Sequence, residues 1–235
     1  MSGVAVTEPT EVRAPAPAPA ARPRWLVRVL VAVLAVALVA LGGGLAVATG
    51  IGRPAVPSDE SVDAGFTRDM ITHHTQAVQM AEVVRDHGSD PALRLLAYDI
   101  ETQQLAQVGQ MRGWLQSWGL PEQTDRARMA WMGSAAHAHD PAASAAGAPM
   151  PGMATTAEMA RLRSLSGRAL DVDFLQLMIR HHEGGLPMTQ HAADHAGVTY
   201  VRDLAAKVAS AQTSEVVTME QVLREHGGEP LPPPS

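Results

Sequence analysis

Two short runs of the chain carry the donor atoms that could do chemistry. Met70-Ile71-Thr72-His73-His74 is followed by Met80 and His87, and Met178-Ile179-Arg180-His181-His182 by Met188 and His195. Every position of the second set lies 108 residues after its counterpart, as do Phe174 after Phe66 and Met219 after Met111. Neutral imidazole and thioether offer lone pairs without charge. That softness selects Cu(I), with Cu(II) also suited to the His-rich positions. Hard cations want carboxylates, which are scarce at these positions.

Residues 66–115 and 174–223 share 15 identities in 50 aligned positions, concentrated on Met, His and Phe. This is an internal duplication. Placed on a helix at about 100° per residue, Phe66, Met70, His73, Ala77, Met80 and His87 fall within an arc of about 100°, the width of a core-facing stripe. His74 sits beside it. In the second copy His191 and His195 form an i,i+4 pair, a chelating separation. The plainer reading of each Met is core packing, and of each His a hydrogen-bonded core residue. Paired imidazoles in both copies tilt the balance, because burying them costs free energy unless something accepts their lone pairs.

The elements that must position these side chains are two helical hairpins. The first runs over 58–120, its first helix capped by Ser58 or Asp59. Gly88-Ser89-Asp90-Pro91 is the turn, and the second helix stops at Gly119. The second hairpin spans 169–228, with a turn at Gly197-Val198 and Gly227 as the counterpart of Gly119. Facing positions within the first hairpin put Met111 near Met70 and Gln104 opposite His74. Met111 and Met219 are thus candidate extra ligands or gates, and Gln104 and Gln212 candidate partners for the far imidazole nitrogens. Pro187, after Gly184-Gly185, should distort the second motif helix and leave the second site more open. Residues 121–168 read as a long, partly disordered connection. It carries Met129, Met132, His137, His139, Met150, Met153 and Met159, either a low-affinity metal relay or a floppy linker. Thr155-Thr156-Ala157-Glu158 reads as a capping box. Two such hairpins should pack into an all-α, antiparallel four-helix bundle with a pseudo-twofold axis.

Residues 1–24, rich in Ala and Pro, read as a disordered cytoplasmic tail. Residues 25–49 are apolar enough to span a bilayer. Arg13, Arg22, Arg24 and Arg28 precede the uncharged run over residues 29–48, so the remainder should lie outside. A retained single-pass anchor and a cleaved signal peptide ending at Ala46-Val47-Ala48 both fit. The chain has no Cys, which removes disulfides, thiolate sites and thiol catalysis. Its net charge is −6, and five of the eighteen basic residues lie before Pro54 against two acidic ones, which leaves the remainder more acidic. The acidic remainder disfavours nucleic acid.

No Glu lies three residues before a His, as di-iron oxidase chemistry needs. His182-Glu183-Gly184-Gly185-Leu186 lacks the second His of a zinc protease. No catalytic turnover is expected. The alternative to metal binding is a membrane-tethered interaction or pH-sensing bundle. Partners would be copper ions, the membrane through the N-terminal helix, and either a second copy or a copper-transport protein.

Phe66-x3-Met70-Ile71-x-His73-His74-x5-Met80 and Asp173-Phe174-Leu175-x2-Met178-Ile179-x-His181-His182-x-Gly184-x3-Met188, with Met150-Pro151-Gly152-Met153 between them, resemble the paired signatures of bacterial domain-of-unknown-function family 305. The resemblance covers about residues 58–228. It implies a ferritin-like helical bundle in an exported or membrane-tethered protein, and some members are periplasmic copper-binding proteins linked to copper tolerance. It assigns the motif to Met70, His73, His74, Met80, Met178, His181, His182 and Met188. The chain departs from the family pattern at Gly185 and Pro187.

Overall fold

A computed structural model describes residues 24–48, 56–135 and 141–232. The expected tail over residues 1–23, and His137 and His139, lie outside them. The described residues are all-α, and the chain divides into two compact units, residues 1–55 and 56–235. In the first, α1 (Arg24–Ala48) has 25 residues, buries none of them and is apolar enough to cross a membrane. At 1.5 Å per residue it is about 37 Å long, more than a bilayer core requires.

The second unit holds the two expected hairpins. α2 (Val62–His87) packs on α3 (Pro91–Trp118), while α6 (Gly167–His195) packs on α7 (Thr199–Glu225). The α2 cap is Ser61, whose Oγ accepts from the Ala64 N–H at 3.2 Å, rather than Ser58 or Asp59. Asp59 instead pairs with Arg68 and Arg126. Asp90 caps α3 with Pro91 at the first turn, and Gly119 ends it at φ 69°. Gly227, the duplicated counterpart, has φ 67°.

What joins the hairpins is a reciprocal pair of carboxylates. Asp171, near the start of α6, accepts from the backbone N–H groups of Ser89 (3.0 Å) and Asp90 (3.2 Å) and from the Ser89 hydroxyl. Asp63, near the start of α2, accepts from the N–H groups of Gly197 (3.0 Å) and Val198 (2.8 Å). Both Asp are buried, and both they and the turns they hold are related by the same 108-residue displacement. Each hairpin's first helix therefore grips the other's turn, which fixes α2 antiparallel to α6.

Over its described residues, 121–135 and 141–168, the connection between hairpins is built of short helices and turns. It contains a 3-10 stretch (Ala130–Ala135), α4 (Pro141–Ala145) and α5 (Thr156–Ser164). The expected capping box is present, Thr155 Oγ1 accepting from Glu158 N–H and the Glu158 carboxylate from Thr155 N–H. Glu158 also receives both terminal nitrogens of Arg180, at 2.9 and 2.8 Å. The reason is apolar burial: Met129, Met132, Met150, Met153 and Met159 all face the core. These five methionines therefore serve as core residues rather than as side chains of a loose linker.

Truncating Asp171 removes the acceptor of two part-buried N–H donors and leaves its own buried site empty. Asp171→Ala should therefore lower unfolding free energy by about 1–3 kcal/mol. Asp63→Ala should do likewise, and the double variant should be nearly additive because the two sit at opposite ends of the helix pair. Urea unfolding measures all three.

Candidate metal centre

His73 and His181 face each other where α2 crosses α6, their ring centroids 3.8 Å apart. His74 and His182 flank them, and all four side chains have zero exposure. Each Nε2 has one oxygen partner. His73 Nε2 donates to the Pro151 carbonyl at 3.4 Å, His181 Nε2 to the His73 carbonyl at 3.1 Å, His74 Nε2 to Gln107 Oε1 at 2.7 Å, and His182 Nε2 to Glu215 Oε2 at 2.7 Å. A carbonyl or carboxylate only accepts, so each Nε2 carries a proton, and in a neutral ring Nδ1 then keeps its lone pair. All four Nδ1 atoms are buried without a partner among the described residues.

The amides beside them are in the same condition. Gln104 Oε1 and both polar atoms of Gln212 are buried and unpaired. Seven of the ten such side-chain atoms in the described protein thus lie on these six residues. Unsatisfied buried groups are uncommon in native folds and cost about 1–3 kcal/mol each, so their concentration at one place marks a site. The expected amide–imidazole bonds are made one helical turn further on, by Gln107 and Glu215. Helical side chains lean towards their N-terminus, so the residue covering a given spot lies C-terminal to it. Gln107 and Glu215 are themselves 108 residues apart but differ in type, and an inventory of identities passes over them.

The thioethers divide between two apolar clusters. Met70, Met111 and Met188 share one with Met150 and Met153, and Met178, Met219 and Met80 share the other. The duplication exchanges these triplets. Neither belongs to one hairpin, because the antiparallel crossing gives each cluster two sulfurs from one half and one from the other. His87 and His195 are exposed at the last residues of α2 and α6. His191 is half-buried against Trp131, nine residues beyond His182, about 13 Å along the helix. These three histidines therefore stand outside the buried group. Among the described residues no three His, Asp or Glu side chains form a ready-made cage.

The second half is not the more open one. α6 runs unbroken through Pro187, and the turn Met150–Met153 lies across Gly184. A methyl at Gly184 would overlap the Pro151 carbonyl, and one at Gly152 (φ 78°) the Arg180 carbonyl. Gln76, the counterpart of Gly184, holds the same turn from the other side through Ala154. Its Oε1 accepts from the Ala154 N–H at 2.7 Å and its Nε2 donates to the Ala154 carbonyl at 2.8 Å. This clamp delivers Pro151 to His73.

The profile of the family described as Domain of unknown function (DUF305) matches residues 63–223. The chain belongs to the DUF305 family. A DUF305 protein from Streptomyces coelicolor inferred to be secreted is 40% identical, with a TM-score of 0.67 over 74% of this chain and 99% of its own. A DUF305 fragment from Deinococcus radiodurans is 31% identical, with a TM-score of 0.58 over 73% and 99%. CopM in its Cu(I)-bound form is 22% identical, with a TM-score of 0.53 over 71% and 98%. CopM has also been solved with Cu(II) and with silver. At that identity the likeness shows a shared DUF305 fold. No curated protein matches the chain.

Burial, then the neighbouring imidazole of His74, holds His73 down to about 3. Burial alone dominates in His74, which falls to about 4, and burial plus the other three imidazoles pushes His181 well below the usual range. All three are thus neutral in the fold but bind protons in the unfolded chain near the ordinary value of 6.5. The unfolded state binds more protons between those limits, so stability rises with pH there and falls on acidification. Metal-stripped protein should keep a constant melting temperature above pH 7 and lose it steadily from about pH 6.5 down to pH 4, read by circular dichroism. A flat profile across that window would contradict the buried, neutral assignment.

Proposed function

We propose that this DUF305 chain is an exported copper-binding protein. It takes Cu(I) by preference through His73, His74, His181 and His182 with the buried methionines, and sequesters the ion or passes it on without catalytic turnover. The reading rests on one observation above the others: four buried imidazoles are held through Nε2 and leave four buried Nδ1 atoms without a partner among the described residues. Uncharged nitrogen and sulfur donors suit a soft monovalent ion, which carries little charge into an apolar core. The copper- and silver-bound forms of CopM, a protein of the same fold, lend support. Helix α1 fits either an anchor or a leader, and either would put the bundle outside the cell membrane.

A metal-free pH sensor acting near pH 6 is disfavoured, because His73 and His74 take up protons only at about 3 and 4. Anaerobic Cu(I) titration of the full-length chain against a competing chelator tests the proposal. His73→Gln with His181→Gln should abolish tight binding, and at copper a hundredfold above Kd the wild type should gain about 2.7 kcal/mol of stability. Because each thioether cluster is composite, Met70→Leu and Met188→Leu should be non-additive with each other and additive with Met80→Leu. Wild-type protein that binds no copper, or a double histidine variant that binds it equally well, would dismiss the reading.

The two halves differ behind the metal-facing nitrogens. Glu215 presents a carboxylate to His182 where Gln107 presents an amide to His74. A carboxylate partner raises imidazole basicity, and losing such a partner costs about 10–100-fold in metal affinity. Glu215→Gln should weaken copper binding within that range, and Gln107→Glu should strengthen it. Equal affinities for wild type and both variants would remove Glu215 from the centre.

A further inference from the structure

The pair His191 and His195 lies outside the buried centre, and we infer that it forms a separate, solvent-facing site for a borderline divalent cation such as Ni(II), Cu(II) or Zn(II). The rings are stacked with centroids 4.2 Å apart and planes 16° from parallel. They project from one face of α6 at i and i+4, the spacing by which helical histidines share a zinc ion. His195 Nδ1 donates to the His191 carbonyl at 3.0 Å. That bond fixes the tautomer, as a backbone carbonyl does behind many metal-bound histidines, and leaves the Nε2 lone pair of an exposed ring to solvent.

The His191 ring makes no hydrogen bond among the described residues and is backed by Trp131, edge-on at 5.6 Å. Trp131 is itself fixed, its Nε1 donating to Asp69 at 2.8 Å and its ring meeting Phe66 at 6.0 Å. His191 therefore has a rigid wall on one side and its chelating partner on the other. Asp194, beside His195 in sequence, contributes negative charge at the same surface. The segment His191-Ala192-Ala193-Asp194-His195 has the histidine spacing of a zinc protease without a Glu after the first His, so it binds without a general base. Two imidazoles and water suit borderline ions, whereas the buried sulfur-lined centre suits a soft one. The first hairpin has no equivalent: His87 is preceded four residues earlier by Val83.

The test uses the metal-stripped full-length chain in detergent micelles and Ni(II), an ion with little preference for thioether. Calorimetry reads binding while tryptophan emission reads proximity to Trp131. Wild type should bind Ni(II) with partial quenching. His195→Gln should weaken binding by roughly tenfold or more, at least what losing a metal-supporting partner costs, with an unchanged thermal melt because the side chain is exposed. His87→Gln should change nothing. Trp131→Phe should bind Ni(II) with less quenching, and Val83→His should add one further Ni(II) by giving the first hairpin the same i,i+4 pair. If wild type and His195→Gln take up Ni(II) with the same affinity and quenching, or if wild type takes up none, the site does not exist. The buried copper centre is untouched by either result, so failure here and failure there are separable.

Discussion

The arrangement depends on the exchanged grip of Asp63 and Asp171. Each carboxylate sits at the start of one hairpin and satisfies the backbone donors of the other hairpin's turn. Two turns whose N–H groups would otherwise lack a protein partner become the points that lock α2 against α6. Because both grips follow from one duplicated aspartate, they impose a twofold relation. The twofold relation in turn brings His73 against His181 and interleaves the methionines of the two halves.

A core built in this way carries an unusual polar load. Its apolar walls are largely methionine, Ala, Val and Leu, which follows from a sequence with only 3% aromatic residues. All eleven methionines after the initiator are buried. A flexible, polarizable thioether fills irregular space of this kind. The four Nδ1 lone pairs and the unpaired amides of Gln104 and Gln212 cost stability in an apolar interior. Under the copper-binding proposal, an ion with affinity for both nitrogen and sulfur would use both features.

The connection between the hairpins breaks the symmetry. It can lie on α6 only because Gly184 has no side chain, and on α2 because Gln76 supplies both halves of an amide clamp. The same position in the duplication thus serves opposite ends: space in one copy, hydrogen bonding in the other. The turn it fixes contributes the Pro151 carbonyl that orients His73. The two halves consequently share donor atoms but not their supports.

The sequence by itself determined a great deal. The exact 108-residue repeat, the apolar periodicity, and the Pro, Gly and capping residues specify two hairpins and most of their ends, because these are local properties of helix geometry and backbone freedom. The inward placement of His73, His74 and their counterparts also follows from periodicity. Tertiary structure decided which donors meet. Met70 lies with Met188 rather than Met80, since partnership across crossing helices depends on their antiparallel register. Gln107 and Glu215, rather than Gln104 and Gln212, reach the imidazoles because side chains lean along the helix. His87, His191 and His195 continue the periodic pattern towards and to the ends of their helices, where the bundle no longer covers them. The linker methionines enter the core because apolar burial outweighs the flexibility of an Ala-, Gly- and Pro-rich segment.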